Sequence, residues 1–314
     1  MKVLITGGAG FIGGHVAEAY LARGDHVWIV DDLSTGKRAN VPAGAELVAM
    51  DIGDAALGTL FDEVGGFDLV SHHAAQIDVR RSVADPRADA RINIDGLLNV
   101  LENAVRQRAR RVVFVSSGGV VYGEPDELPT PETAPKRPLS PYGVTKLAAE
   151  YYLHYFEQIH GLEYVALRYS NVYGPRQDPH GEAGVVAIFS ERIRAGQALT
   201  VFGDGLQTRD YVYVGDVVRA NLMLGDTKLE TGRFLDDRAF NVGTGEGTSV
   251  LELARVLMAA ADVTVAVEHA EERAGELRHS RLDCGKAASF GWHPGTPLEE
   301  GLRRTYSHIA GVAA

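Results

Sequence analysis

The chain has 314 residues, of which 45% are hydrophobic and 23% are charged, and its formal net charge at pH 7 is −11. This composition is typical of a globular protein, and the length predicts one large domain or two closely packed domains. The negative charge disfavours sequence-independent binding to nucleic acid or to an anionic membrane, because both need clustered positive charge.

The one cysteine, Cys284, has no partner within the chain for a disulfide, which favours a reducing compartment. The apolar run before the first glycines is too short for a signal peptide, and no run of about 18 apolar residues is present that would span a bilayer. We therefore expect a cytoplasmic protein that has neither a membrane nor a nucleic acid as its partner.

The first half of the chain alternates short apolar runs with amphipathic segments. The apolar runs predict buried strands at residues 3–6, 26–31, 46–50, 67–72, 111–116 and 164–169. Helical patterns lie between them, at residues 13–23, 87–108 and 141–160. This alternation predicts an α/β fold, a Rossmann-type doubly wound parallel sheet with helices on both faces.

The pattern changes beyond residue 170. Gly and Pro become frequent there, and helices and strands no longer alternate cleanly. We therefore predict a Rossmann domain over residues 1–170 and a smaller mixed α/β portion over residues 171–314 that is interleaved with it.

Three glycines, Gly7, Gly10 and Gly13, lie in the predicted turn between the first strand and the first helix. The first permits a tight turn, the second lets the backbone approach a pyrophosphate, and the third lets the helix pack on the strand. Asp31 ends the second strand, where a carboxylate accepts hydrogen bonds from the adenosine ribose and repels a 2′-phosphate. The pattern predicts a dinucleotide site that prefers NAD to NADP.

Two more strand ends fit the same groove. Asp51 and Ile52 end the third strand, where a carboxylate and an apolar side chain can flank adenine. Ala74 and Ala75 follow the fourth strand, where small side chains let the backbone come close to the dinucleotide. We predict all four as cofactor-binding residues.

Tyr142 and Lys146 are four residues apart, so they share one face at the start of a predicted helix. A phenol has a pKa near 10 and is a poor base at neutral pH. A neighbouring ammonium and the positive nicotinamide ring of NAD stabilise the phenolate and lower that pKa. We predict Tyr142 as the catalytic base and Lys146 as its partner. Ser116 and Ser117 end the fifth strand at the same edge of the sheet, where a hydroxyl can assist.

These motifs resemble the extended short-chain dehydrogenase/reductase family of NAD-dependent epimerases and dehydratases. The likeness also includes residues 116–123, 168–175, 207–216, 241–245 and 273–276, and therefore covers nearly the whole chain. The resemblance implies NAD-dependent 4-epimerisation of UDP-hexoses through a transient 4-keto sugar, with the cofactor retained through turnover.

The resemblance also implies which further residues bind the ligands. The implied cofactor contacts are Phe11, Ile12, Asp32, Ser34, Asn93, Ser116, Tyr142, Lys146 and Tyr169. The implied contacts to the nucleotide-sugar are Ser117, Tyr142, Asn171, Val201, Phe202, Arg209, Arg273, Glu276 and Ser280. Among them, Asn171, Arg209 and Arg273 match positions that hold the diphosphate, which guanidinium forks suit.

Two of these positions have more specific interpretations. Arg209 taken alone fits a structural ion pair with Asp210 or Asp216 equally well. Ser280 matches a position beside the sugar 2-substituent, where a small side chain leaves room for an N-acetyl group. We therefore expect some activity on UDP-N-acetylhexosamines, although Ser280 is equally compatible with an ordinary surface residue.

One position departs from the family pattern. Many members carry Ser or Thr four residues before the tyrosine that matches Tyr122, and the chain has Gly118 there. Ser117 is the nearest hydroxyl, so we predict it as the third catalytic residue, with Ser116 as the alternative.

The same segment distinguishes between reactions. Residues 118–121 supply neither the acid and base of related dehydratases nor the Glu of related decarboxylases, and this favours epimerisation. Dehydration, decarboxylation or net reduction of a nucleotide-sugar is the alternative. An NAD-binding sensor or scaffold without turnover is a third hypothesis.

The resemblance implies a homodimer through the helices at residues 87–108 and 141–160. Apolar residues on the first of these helices, among them Leu97 and Leu101, fit burial against the sheet equally well. His72 and His73 lack a third metal ligand at a familiar spacing, so we expect no metal site.

Overall fold

The structure is a computed structural model that describes residues 1–179, 184–272 and 277–312. The chain forms two compact units. The first contains Met1–Gly123, Pro135–Arg168 and Val218–Phe240, and the second contains Glu124–Ala134, Tyr169–Val217 and Asn241–Ala314.

The described residues form the following elements. The strands are β1 (Lys2–Thr6), β2 (His26–Asp31), β3 (Glu46–Ala49), β4 (Leu69–His72), β5 (Arg111–Ser117), β6 (Glu163–Tyr169), β7 (Asn171–Tyr173), β8 (Leu199–Phe202), β9 (Thr208–Arg209), β10 (Tyr211–Tyr213), β11 (Ala239–Val242), β12 (Thr248–Ser249), β13 (Val267–Ala270) and β14 (His279–Ser280). The α-helices are α1 (Phe11–Ala22), α2 (Ala56–Val64), α3 (Val79–Ala84), α4 (Pro86–Ala90), α5 (Gly96–Arg106), α6 (Gly118–Val121), α7 (Pro141–His160), α8 (Val185–Arg194), α9 (Val214–Asp226), α10 (Val250–Ala261), α11 (Gly285–Ser289) and α12 (Leu298–Ala310).

A seven-stranded sheet in the order β3-β2-β1-β4-β5-β6-β11 organises the first unit. Strand β1 pairs in parallel with β2 and with β4, so that Val3 lies opposite both Val27 and Leu69. The strand order therefore reverses beside β1, and open parallel sheets bind ligands at such a point. The predicted Rossmann-type parallel sheet is confirmed.

The strands have apolar sequences because both faces of the sheet are buried. All four residues of β4 are buried. Leu97 and Leu101 of α5 are fully buried in the same hydrophobic cluster as Val112 of the sheet. Of the two interpretations of this helix face, the structure therefore shows burial against the sheet.

Two predicted helices differ from the structure, one in its first residue and one in its regularity. The first helix begins at Phe11, two residues earlier than predicted, because Gly10 takes the N-cap position. The helix predicted over residues 87–108 is not one regular helix, since a π-helical turn, Arg91–Asp95, lies between α4 and α5. The wider turn places Asn93 in a buried polar cluster, which hydrophobic periodicity does not reveal.

In its described residues, the second unit contains three small sheets and a group of packed helices. The sheets pair β7 with β10, β8 with β13, and β9 with both β12 and β14. Side chains of α8, α10 and α12 share one hydrophobic cluster, which includes Phe189, Leu253 and Leu302. This cluster supports the short strands, which carry several of the predicted substrate residues.

Candidate active site

The loop after β1 is shaped by glycine. Gly7 has a φ of +68°, and its N–H donates a hydrogen bond to Val30 O at 2.8 Å. A Cβ at Gly7 would lie 2.6 Å from the backbone nitrogen of Ala74. The loop therefore passes directly between the ends of β2 and β4, which only glycine permits.

The N-terminus of α1 follows this loop. Within the described helix, Gly10 supplies no side-chain cap, and the first turn, which includes Phe11 and Ile12, has no acidic residue. Gly13 is buried against the loop, and a Cβ there would clash with the carbonyl oxygen of Gly7. Uncapped N–H groups and the partial positive charge of a helix end fit a pyrophosphate.

Asp31 ends β2 beside this loop and is 6% exposed. Its Oδ2 accepts a hydrogen bond from Ala9 N at 2.9 Å, and its Oδ1 accepts one from Leu33 N at 2.8 Å. Burial raises the pKa of Asp31, and the two backbone hydrogen bonds oppose that effect. Each oxygen keeps a lone pair for a ribose hydroxyl, so the residues of this edge fit a dinucleotide. Asp32 is exposed and accepts hydrogen bonds from the backbone and hydroxyl of Ser34.

The predicted cofactor residues that follow β3 and β4 differ in exposure. Asp51 is exposed and accepts a hydrogen bond from Gly53 N at 2.8 Å. Ile52 is 4% exposed and belongs to the hydrophobic core. Ala74 and Ala75 are half-buried directly after β4. Their contacts to a cofactor stay predictions.

Helix α7 brings Tyr142 and Lys146 to the end of β5. The helix runs from Pro141 to His160 as predicted, and Ser140 Oγ caps it by accepting a hydrogen bond from Gly143 N. Lys146 Nζ donates a hydrogen bond to Val115 O at 2.9 Å and lies 5.8 Å from the centroid of the Tyr142 ring. Both side chains are buried, at 8% and 4% exposure. The phenol and the ammonium therefore share one helix face at the carboxyl edge of the sheet.

Burial dominates the electrostatics of this pair. It lowers the pKa of Lys146 to about 8, against the carboxylates of Asp89 and Glu150, which raise it. It also raises the pKa of the Tyr142 phenol, and the charge of Asp89 adds to this increase. The expectation that the ammonium and bound NAD together lower the pKa of Tyr142 stays a prediction, and burial of the phenol opposes that effect. The reason is the loss of water around a buried phenolate.

The two serines at the end of β5 have different partners. Ser117 makes a side-chain hydrogen bond with Tyr142, which lowers the pKa of the phenol. The Ser116 hydroxyl instead donates to Glu150 Oε1 at 2.5 Å. Ser117 is thus the hydroxyl that touches the predicted base, and its catalytic role stays a prediction.

A buried polar cluster around Asp89 adjoins the pair and was not foreseen. Asp89 is 1% exposed and accepts hydrogen bonds from Gln76 Nε2 and Thr145 Oγ1, each at 2.8 Å. Asn93, a predicted cofactor residue, is part of the same cluster through its bond to Asp89 at 3.1 Å. The available signal was the helical spacing of Asp89 and Asn93, which places a carboxylate and an amide on one face.

A second group of buried charges was also missed. Glu150 of α7 is fully buried and forms a two-pronged ion pair with Arg168 of β6. Arg168 also donates to the Tyr122 hydroxyl and to Asp236. The resemblance identified residues 168–175 as a motif, but the partner of Arg168 depends on the fold.

His72 and His73 lie at the end of β4. His72 Nδ1 is 2.9 Å from Thr6 Oγ1, and His73 Nε2 is 2.8 Å from Ser71 Oγ. Burial, with the charge of Lys146 as a smaller cause, lowers the pKa of each imidazole to about 3. Both histidines are therefore neutral at physiological pH.

Several predicted substrate residues lie close together in the second unit. Strand pairing places Ser280 of β14 opposite Arg209 of β9. Asn171 N donates a hydrogen bond to Asp210 O at 2.9 Å, so Asn171 adjoins the same strands. The carboxylate of Asp210 accepts hydrogen bonds from the Thr244 and Leu282 backbones.

The other predicted ligand contacts of this unit belong to other segments of the chain. Val201 and Phe202 belong to β8, where Val201 is fully buried and Phe202 is half-buried. Tyr169, at the end of β6, is 4% exposed. Arg273 and Glu276 lie outside the described residues.

Neither a metal cluster nor a membrane-spanning helix occurs in the described part of the chain. Among residues 1–179, 184–272 and 277–312, no group of three or more His, Cys, Asp or Glu is arranged to hold a metal ion. Over the same ranges, no helix is both long and apolar enough to cross a membrane.

Comparison with known proteins points to one family. The model of the NAD dependent epimerase/dehydratase family matches residues 3–243. UDP-glucose 4-epimerase of Mycolicibacterium smegmatis is 44% identical over 311 residues, which cover 97% of each protein. The crystal structure of UDP-glucose 4-epimerase from Thermotoga maritima with UDP-glucose has a TM-score of 0.94 and 44% identity, covering 99% of both chains. That of UDP-glucose 4-epimerase from Thermus thermophilus in complex with NAD has a TM-score of 0.91 and 45% identity, covering 100% of both.

Proposed function

The chain belongs to the NAD dependent epimerase/dehydratase family, and we propose that it interconverts UDP-glucose and UDP-galactose by 4-epimerisation. The observation that carries this proposal is the contact of Tyr142 with Ser117 and its proximity to Lys146 at the carboxyl edge of the sheet. A phenol, a hydroxyl and an ammonium in one buried place suit the removal and return of an alcohol proton.

The glycine loop and Asp31 would hold NAD, with the pyrophosphate at the N-terminus of α1 and the adenosine ribose at the carboxylate. NAD held there would supply a reversible hydride acceptor for the sugar C4. Asp51, Ala74, Asn93, Tyr169 and the other cofactor residues named from the sequence are part of this proposal.

Each of the three residues Tyr142, Ser117 and Lys146 has one chemical task. Tyr142 takes the proton of the sugar 4-hydroxyl and gives it back to the 4-keto oxygen. The Ser117 hydroxyl bonds the same oxygen and keeps it directed at the phenol. The ammonium of Lys146, which lies 5.8 Å from the centroid of the phenol ring, would favour the phenolate together with the positive nicotinamide ring of NAD.

The residues after β5 favour epimerisation over elimination. A Cβ placed on Gly119 would have its nearest neighbour, Ser117 Oγ, only at 3.9 Å, so the residue borders open space. The 4-keto sugar needs such room to present its other face. Neither Gly118 nor Gly119 brings the acid and base that loss of water requires.

We infer that the nucleotide-sugar is bound by residues of the second unit. Asn171 and Arg209 offer an amide and a guanidinium to the diphosphate, and Arg273 would add a second guanidinium. Val201, Phe202 and Glu276 complete the proposed substrate set. The pairing of Arg209 with Ser280 supports their action on one ligand.

The direct test is incubation of the purified protein with UDP-galactose and no added NAD, followed by product identification. UDP-glucose supports both the reaction and the retained cofactor. Accumulation of a 4-keto sugar, or NADH in stoichiometric amount, would instead identify another reaction of the family. Binding of NAD without any turnover would identify a sensor or scaffold.

Ser280 leads to a proposal about substrate breadth. Its side chain is small and half-buried, which leaves space for an N-acetyl group at the sugar 2-position. We expect measurable epimerisation of UDP-N-acetylhexosamines. Kinetics with both sugar classes test this, and complete inactivity on the acetylated class contradicts it.

We infer a homodimer that forms through α7. The helix presents an exposed row, spaced by whole turns, of Val144 (52% exposed), Tyr151 (59%), Tyr155 (49%) and Ile159 (64%). Exposed apolar rows of this size are typical of protein interfaces. Sedimentation analysis should give a dimer for the wild type and a monomer for Tyr155→Glu, whereas a monomeric wild type contradicts the proposal.

We also infer a cytoplasmic location, and the thiol chemistry supports it. Burial raises the pKa of Cys284, so the thiol is a poor nucleophile and a poor candidate for an intermolecular disulfide. Fractionation of the native host tests this inference, because recovery outside the cytoplasm contradicts it.

A further inference from the structure

A buried carboxylate adjoins the tyrosine–lysine pair without belonging to their motif. Asp89 of α4 is 1% exposed. Its Oδ2 lies 2.8 Å from the hydroxyl of Thr145, which stands between Tyr142 and Lys146 on α7. The same hydroxyl lies 3.0 Å from the carbonyl oxygen of Tyr142. Asp89 is therefore linked to the first turn of the catalytic helix.

The other carboxylate oxygen holds two more segments. Oδ1 accepts hydrogen bonds from Gln76 Nε2 at 2.8 Å and from Asn93 Nδ2 at 3.1 Å. Asn93 in turn exchanges two hydrogen bonds with the Gln76 backbone, at 2.8 and 2.9 Å. The segment after β4, the π-helical turn and α7 thus meet at one carboxylate.

Packing alone does not explain a negative charge at this position. Burying a carboxylate carries a desolvation cost that a neutral acceptor of similar volume would avoid. All three donors around Asp89 are neutral amides or a hydroxyl, which a neutral acceptor would partly satisfy. The charge itself is therefore the property that requires a function.

That charge acts on both catalytic groups. It opposes the burial that lowers the pKa of Lys146, and it adds to the burial that raises the pKa of Tyr142. The other charged or titratable groups that act on Lys146 are Glu150 of α7, His72 and His73, and burial keeps the two imidazoles neutral. Asp89 and Glu150 are thus the two negative charges beside the ammonium.

We propose that Asp89 is a positioning residue, which fixes the start of α7, and with it Tyr142 and Lys146, through the hydroxyl of Thr145. This rests on the proposed function, in which Tyr142 is the base that the ammonium assists. The geometry requires the carboxylate to act through its neighbours rather than on the substrate. Neutralising Asp89 should therefore alter both proton affinity and rate without removing a reacting group.

The test is Asp89→Asn, which preserves side-chain volume and removes the charge. The first readout needs no activity: the pH dependence of trace acylation of Lys146, followed by mass spectrometry. Its midpoint should move to lower pH by on the order of one unit, because a neighbouring negative charge is lost. For epimerisation, kcat should fall on the order of 10-fold through looser positioning, and the acid limb of kcat/KM should move in the same direction.

Asp85→Asn is the matched control. Asp85 is exposed, caps the same helix and accepts a hydrogen bond from Ala88 N at 3.0 Å. Asparagine caps a helix about as well as aspartate, so this replacement should leave the start of α4, the Lys146 midpoint and kcat in place. A similar midpoint shift in both variants would mean that any loss of negative charge from this segment, and not the buried Asp89 carboxylate, is responsible, and would overturn the proposal.

Thr145→Val and Thr145→Ser test the same link if Asp89→Asn does not fold. Valine removes the hydroxyl and should lower kcat, whereas serine retains it and should restore kcat. Wild-type behaviour of Thr145→Val, or of folded Asp89→Asn, overturns the proposal. A midpoint shift in a protein that lacks epimerase activity supports the effect of Asp89 on Lys146 and removes only the proposed function.

Discussion

The glycine loop after β1 and the Asp89 cluster both contact the segment that follows β4, yet they are built from different groups. In the loop, the backbone approaches so closely that a Cβ at Gly7 would lie 2.6 Å from Ala74 N. In the cluster, side chains of Gln76, Asn93 and Thr145 surround one carboxylate. The close approach of the loop to its neighbours requires the absence of a side chain, whereas the cluster is organised around a charged side chain.

This difference determines how each region tolerates change. Any added atom in the loop meets backbone, which cannot move without disturbing two strands. The cluster accepts isosteric replacement, but its effect on proton affinity disappears when the charge is lost. Substitutions in the loop should therefore affect binding and stability, and those around Tyr142 should affect rate and pH dependence.

Tyr142→Phe should give the largest effect, a loss of turnover of about 10²- to 10⁴-fold, because it removes the group that carries the proton. NAD binding should persist, since the glycine loop is untouched. Turnover and NAD content of the purified variant are the measurements. Tyr152→Phe, on the exposed side of the same helix at 39% exposure, serves as the control and should retain turnover.

Gly7→Ala should separate steric clash from backbone strain. Gly7 and Gly161 both have a φ of +68°, but a Cβ added at Gly161 would meet nothing within 4 Å. Gly161→Ala should lower the free energy of unfolding by only about 1 kcal/mol, the usual strain of a left-handed residue. Gly7→Ala should lower it further and abolish NAD binding, as urea unfolding and calorimetry would show. Equal effects of the two variants would contradict the proposed cradle.

Ser117→Ala and Ser116→Ala should differ in the quantity they affect. Loss of the Ser117 hydroxyl should lower kcat about 10- to 100-fold, since it removes a hydrogen bond to the reacting phenol. Loss of the Ser116 hydroxyl should instead reduce stability by about 1–3 kcal/mol, because buried Glu150 loses a donor. Steady-state kinetics and urea unfolding of both variants are required. The reverse pattern would exchange the two roles.

Protonation of His72 should have a smaller effect, which is a pH dependence of the free energy of unfolding. The pKa of His72 in the folded protein is about 3, below its ordinary value of 6.5, so the unfolded chain binds the proton more readily between these values. The free energy of unfolding should therefore fall as the pH drops below 6.5, by about 2 kcal/mol between pH 7 and pH 5. Urea unfolding at both pH values should show a weaker dependence for His72→Gln than for the wild type. An unchanged dependence would mean that His72 does not stay neutral in the folded protein.

The sequence predicts the sheet because parallel strands bury both faces, as the four apolar or neutral residues of β4 illustrate. It also predicts the start and end of α7, because Pro141 and Gly161 mark them locally. The π-helical turn at Arg91–Asp95 is not visible in the apolar periodicity, which continues through it. Local sequence patterns therefore predict regular helices and strands more reliably than irregular turns within a helix.

The environment of Tyr142 and Lys146 was less predictable. Tyr142 and Lys146 are one helical turn apart and are found by spacing alone. Asp89 lies more than 50 residues earlier, and Arg168 pairs with Glu150 only after β6 and α7 have packed. Long-range packing also decides that Ser116 faces Glu150 while Ser117 meets Tyr142, a choice that two adjacent serines do not reveal.

The most direct test of the proposed 4-epimerisation follows the hydrogen at the sugar C4. UDP-galactose that carries deuterium at C4 is incubated with the purified protein without added NAD, and the product is analysed by nuclear magnetic resonance. If the protein is a 4-epimerase that retains its NAD, the product is UDP-glucose that keeps deuterium at C4, because hydride leaves and returns within one active site. Loss of the deuterium to water, or no conversion by a protein that contains NAD, would contradict the proposed 4-epimerisation.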